Sequence, residues 1–126
     1  MDFAPFEKAL LAWTANHSRD EAPKKQLAVV TAVDREITGV GFYTSLRVPP
    51  GMKKSFAPSG MADGTPHFFC PGVGLGAITV IWLKEAIIDL LEVVTCGGDL
   101  LDAVPTKWAF FTWGDHMPET FEKLGV

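Results

Sequence analysis

The longest apolar run of the chain, residues 76–95, limits what the rest can become. Its only charges are Lys84, Glu85, Asp89 and Glu92, so most of its surface has to be hidden from water. Two local structures fit it. As a helix it places Glu85, Asp89 and Glu92 on one face and Ile87, Leu90, Leu91 and Val94 on the other. As two strands, 77–83 and 87–95, it has a connection at Lys84, Glu85 and Ala86, and its β-branched Thr79, Val80, Ile81, Ile87, Ile88, Val93 and Val94 favour sheet. The hairpin is the preferred reading. A strand apolar on both faces is a central one, and both of its faces need cover.

The neighbouring segments supply candidates for that cover. Phe3, Phe6, Leu10 and Trp13 recur at steps of three and four, with Asp2 as an N-cap and Pro5 in the first turn, which predicts an amphipathic helix over 2–17. Residues 18–25 are polar and read as a connector. Residues 26–33 read as a strand. Over 40–48, Val40, Phe42, Thr44, Leu46 and Val48 alternate with Gly41, Tyr43, Ser45 and Arg47, which predicts a second strand with one buried face. Residues 34–39 fit a hairpin link, with Gly39 as a candidate bulge.

Four prolines and three glycines make 49–66 a long loop. His67 to Cys70 reads as a short strand, 99–104 as a helical turn or an irregular link, 107–113 as a last strand and 118–124 as a closing helix. The expected architecture is α+β in one domain, 1–126: an N-terminal amphipathic helix on a curled antiparallel sheet of five or six strands.

An apolar fraction of 48% excludes a disordered chain, and 126 residues suffice for one core. The net charge of −4, with basic residues in pairs such as Lys24/Lys25 and Lys53/Lys54 rather than in a stripe, has the wrong sign for binding phosphate backbones, so no nucleic-acid partner is expected. The start of the chain lacks the basic and apolar regions of a signal peptide, and the charges within 76–95 make a membrane span costly. A soluble, cytoplasmic protein is expected, with Cys70 and Cys96 as free thiols.

Gly72, Gly74 and Ala77 match a dinucleotide fingerprint, with Glu92 twenty positions beyond the first glycine. The β-branched residues that follow do not make the helix this motif needs, so a glycine-rich turn is preferred and no cofactor is expected. His67 and Cys70 have a ligand-like spacing, but strand residues three apart point to opposite faces, and no metal site is expected. Ser59 has no histidine near it in sequence, and the acid pairs Asp34/Glu36 and Asp99/Asp102 read as solvated turn acids. Glu92 interrupts an apolar strand, which requires a partner or a raised pKa if it is buried; Arg35 is a candidate partner.

Trp82, Trp108, Phe110, Phe111 and Trp113 exceed what one short helix covers on an open sheet. Either the sheet closes or curls strongly around them, or a second copy buries the surplus.

The segment from Arg35 and Glu36 through Thr38, Gly39, Gly41, Phe42 and Tyr43 to Thr44, and the later Leu91, Glu92 and Thr95 followed by glycines, resemble a family of small stand-alone bacterial proteins of unknown function. Compact acidic proteins of this kind also resemble mobile-gene-cassette and immunity-type products. The resemblance covers about a third of the chain, implies an antiparallel α+β fold and marks Arg35, Glu36, Thr38 and Gly39 as positions to watch.

The expected function is a non-catalytic binding or interaction protein that forms a homodimer through an apolar, aromatic sheet face. The alternative is a small-molecule pocket protein or small enzyme with Arg35, Glu36 and Glu92 as polar anchors. Candidate contact residues are Arg35, Glu36, Thr38, Tyr43, Trp82, Glu92, Trp108 and Trp113, with no catalytic residue assigned. The partner is a second copy, another protein or a small molecule.

Overall fold

The computed structural model describes residues 1–112. The apolar run 76–95 is a hairpin: β5, Val73–Lys84, turns directly into β6, Ile87–Thr95. Only Glu85 and Ala86 make the turn, and both have positive φ, 53° and 67°. A two-residue turn of this hand matches the right-handed twist of the strands it joins, which is how an unfavourable backbone region is tolerated by residues other than glycine.

Around that hairpin lie β1 (Thr31–Ile37), β2 (Gly41–Arg47), β3 (Ser59–Met61), β4 (His67–Cys70) and β7 (Ala109–Phe111). The order across the sheet is β1-β2-β6-β5-β4-β7, with β3 also paired to β5, and every pairing is antiparallel. The α+β class is as expected, and the sheet has seven strands because the 49–66 loop contains the three-residue β3. Gly41 permits the close approach of β2 to β6, since a Cβ there would stand 1.8 Å from the Val93 carbonyl oxygen.

Two helices precede the sheet, α1 (Pro5–His17) and α2 (Glu21–Leu27). The N-cap of α1 is Ala4 rather than Asp2, and its capping interaction comes from Glu7, whose carboxylate accepts the Ala4 N–H at 2.8 Å. Helix α2 replaces the expected connector and takes the first residues of the expected 26–33 strand. Asp20 caps it by accepting from the Ala22 N–H, Pro23 fits its first turn, and Lys24 and Lys25 sit at its C-terminal end.

Phe6 is fully buried and makes edge-on or tilted ring contacts with Phe42, Phe68, Trp108 and Phe110. Trp108 and Phe110 therefore belong to the helix side of the sheet. One helix covers more of the aromatic supply than its length suggests, because Phe6 alone meets four rings. Leu10, Ile81, Ile88, Leu91 and Val93 complete the core beneath α1 and α2. Gln26, also fully buried, joins α2 to the hairpin: its amide donates to the Lys53 and Ala86 carbonyls and its oxygen accepts from the Ile88 N–H at 2.8 Å. No helix among the described residues is long and apolar enough to cross a membrane.

Candidate functional site

Both helices lie on one face of the sheet, and strand alternation sends every second residue of β1, β2, β5 and β6 to the other. Register then fixes which of those residues stand side by side. Glu36 is opposite Tyr43, Tyr43 opposite Glu92, and Glu92 opposite Val80, forming one row across four strands. The next row is Asp34, Ser45, Leu90, Trp82 and Met61. On the far side of the Glu92 row stand Val94, Ile78, His67 and Phe111.

No described element packs on these rows. Tyr43, Ile78, Val80, Leu90, Glu92 and Val94 are each half-buried, Phe111 at the far end is buried, and Trp82 and Met61 are exposed by 36% and 63%. A large apolar face carrying three acids, Asp34, Glu36 and Glu92, is thus presented by the described part of the molecule.

Glu92 is held in a defined position on that face. Its carboxylate accepts the Trp82 indole N–H at 2.8 Å. Tyr43 lies on its other side, and the Glu92 charge, followed by partial burial and a hydrogen bond between the two, pushes the phenol pKa up from its ordinary value, with Glu36 adding to the effect. Neither Glu36 nor Glu92 is in an ion pair among the described residues; those pairs are Arg35 with Glu7 and Lys24 with Glu21.

The candidate partner of Glu92 is elsewhere. Arg35 is on the helix side, where its guanidinium binds the fully buried Glu7 carboxylate, which also accepts from the Thr44 hydroxyl. Alternation explains the separation, since Arg35 and Glu36 are consecutive on β1 and must face opposite ways. Arg35 therefore shares no cavity with Glu36 and Glu92.

The remaining sequence candidates divide in the same way. Trp108 packs against Phe6 on the helix side. Thr38 shapes the β1–β2 turn, its N–H donating to the Gly41 carbonyl and its hydroxyl accepting from the Val40 N–H. Trp113 and the expected 118–124 helix lie outside the described residues. The structure brings Glu36, Tyr43, Trp82 and Glu92 together on the open face. Sequence reasoning did not single out Arg47, Val80 and Leu90 as members of that face, although Arg47 shares the phase of Tyr43 and Ser45 in the alternation of 40–48.

Grooves elsewhere use other residues. One of about 320 Å³ lies between α1 and α2, lined by Phe3, Leu11, Ala15 and Leu27 with Lys8 and Lys24 at its rim. Another of about 290 Å³ adjoins Cys70 and residues 100–107, and a third of about 190 Å³ adjoins Asp20 and Phe56. Arg35, Glu36 and Glu92 line none of these three.

The fingerprint glycines are turn and strand residues. Gly72 makes the β4–β5 turn at φ +85°, and Gly76 lies inside β5, where a Cβ would meet the Phe69 ring at 3.3 Å. A strand follows them, so the helix terminus that a pyrophosphate requires is missing from that position. His67 and Cys70 also separate: Cys70 is in the core, where burial raises its thiol pKa, while His67 is on the open face with its pKa lowered by partial burial. Among the described residues no three His, Cys, Asp or Glu side chains gather as a metal site would require.

No protein-family model matches the sequence, and no curated protein or solved structure matches it.

Proposed function

We propose that the protein is a non-catalytic binding protein that associates with a second copy of itself through the open face of its sheet. The observation that carries this reading is the two-sided apolar character of β5 and β6, of which α1 and α2 cover one side. Burying the other side removes Val80, Trp82, Leu90 and Val94 from water, a gain of roughly 25 cal/mol per Å² of apolar area. The best-placed polar groups on the helix side already have structural work. Glu7 holds Arg35, Thr44 and the start of α1; Gln26 holds the hairpin turn; and Asp20 caps α2 while accepting from Ser55.

The footprint is modest. Five strands and four side-chain rows span about 24 Å by about 20 Å, or about 500 Å² per copy, below the roughly 800 Å² per partner of a standard interface. Association in the micromolar range is expected. Size-exclusion chromatography with light scattering between 1 and 100 µM tests it: the wild-type mass should rise toward that of a dimer, and Trp82→Asp, which places a charge on the exposed face, should hold it at one chain. A folded wild-type protein that stays at one chain throughout would overturn the proposal.

A further inference from the structure

The open face carries its acids and its bases in different rows. Glu36 and Glu92 occupy the row through Tyr43, while Arg47 lies four residues beyond Tyr43 on the same face of β2, exposed and in no ion pair among the described residues. Lys84 stands correspondingly two residues beyond Trp82 at the end of β5, also exposed. Ser45 is midway between Tyr43 and Arg47, and Trp82 midway between Val80 and Lys84. The apolar row of Leu90 and Trp82 therefore separates an acidic row from a basic one, with about 7 Å on either side.

That spacing makes the face self-complementary under one rotation. Resting on the dimer reading above, we propose that two copies pack face to face about a two-fold axis along the Ser45-Leu90-Trp82 row, so that Arg47 of the partner subunit enters the Glu36-Tyr43-Glu92 row and the reciprocal contact forms at the other end. The axis crosses the strands, so each residue keeps its position across the sheet and exchanges its position along it. Arg47 of the partner subunit then lies over Tyr43, between Glu36 and Glu92, and Lys84 of the partner subunit lies over Val80, one strand from Glu92.

A guanidinium suits this seat. Two carboxylates supply acceptors, the Tyr43 ring offers a face for a cation, and Glu92 is already oriented by the Trp82 indole. On the axis itself Leu90 and Trp82 meet their own copies. The cost falls on Asp34, which ends the axial row and faces its own copy; it is exposed on the edge strand, where solvent and salt screen the repulsion.

A two-fold axis along β6 instead sets Glu92 against its own copy in the middle of the face and leaves Tyr43 over Val80 of the partner subunit, with both basic groups unmatched. Charge complementarity selects the first arrangement.

A mixing experiment with the full chain tests this contact. Arg47→Glu sets acid against acid, and Glu92→Arg sets base against base, so each variant alone should dimerise at least tenfold more weakly than wild type by sedimentation equilibrium. Mixed in equal amounts they should associate more tightly than either alone, because one end of the mixed dimer is wild type and the other carries the pair exchanged. Glu36→Arg replaces Glu92→Arg if circular dichroism shows that the latter does not fold.

A wild-type dimer that Trp82→Asp breaks but Arg47→Glu leaves at unchanged strength, or a mixture no tighter than its components, would overturn the arrangement while leaving the dimer reading intact. A wild-type protein that is a single chain at every concentration overturns both, including where it instead binds a basic peptide of another protein.

Discussion

Two glutamates, Glu7 on α1 and Glu92 on β6, show how neighbours decide what a carboxylate does. Glu7 is fully buried, and its charge is met by Arg35, by the Thr44 hydroxyl and by the Ala4 N–H. Removing one member of such a group leaves the others buried and unmatched, which is why buried pairs are costly to break even where they add little net stability. Glu92 has no cation among the described residues and acts on its neighbours through its field. Tyr43 is the only tyrosine, so absorbance at 295 nm follows it alone during an alkaline titration. Its pKa should lie above the ordinary value of about 10, and Glu92→Gln should bring it down toward that value. An unchanged titration would mean that the Glu92 charge does not govern the phenol. The sign follows from Coulomb's law: a nearby anion disfavours the phenolate, so the folded protein holds the proton to higher pH than the unfolded chain.

Among the elements, the β5–β6 hairpin carries the most unusual backbone. Glu85 and Ala86 both sit in the left-handed region, where Asn and Gly are better suited. Glu85 is exposed and forms no side-chain hydrogen bond or ion pair among the described residues, so Glu85→Asn loses little and should raise stability to urea by about 0.5 to 1 kcal/mol. Ala86→Gly should gain less, because the Ala86 methyl is 6% exposed and its loss offsets part of the backbone relief. A midpoint that does not move with Glu85→Asn would show that the turn is unstrained. The hairpin itself was legible, because β-branched residues dominate both of its strands. Helix α2 was not: Asp20, Glu21, Pro23, Lys24 and Lys25 are the residues of a polar connector as well as those of a capped seven-residue helix, and only the burial of Ala22, Gln26 and Leu27 separates the two. Strand β3 is too short to show any period.

For the whole molecule, legibility stops at the assignment of faces. The alternation over 40–48 correctly divides Phe42, Thr44 and Leu46 from Tyr43, Ser45 and Arg47. Which set meets α1 depends on contacts such as Phe6 with Phe68 and Glu7 with Arg35, whose partners are far apart in the chain and carry no local signature. The same gap led the sequence to offer Arg35 to Glu92, although β1 points Arg35 the other way. If the open face is where two chains meet, folding and association are linked. The thermal midpoint should then rise by about 3 to 6 °C between 1 and 100 µM protein, and Trp82→Asp should abolish that dependence. A midpoint independent of concentration in the wild type would contradict the link.

The seating of Phe6 on Trp108 and Phe110 also bears on how the chain is made. The two ends of this contact are about a hundred residues apart, and non-local closures of this kind slow folding. During synthesis α1 emerges before β7, which leaves the aromatic face of the helix without part of its seat until residues 108–110 have also left the ribosome. A chain stopped short of residue 108 would lack two of the four rings that cover Phe6, leaving it partly open to water and making incomplete products of this protein substrates for chaperones and proteases.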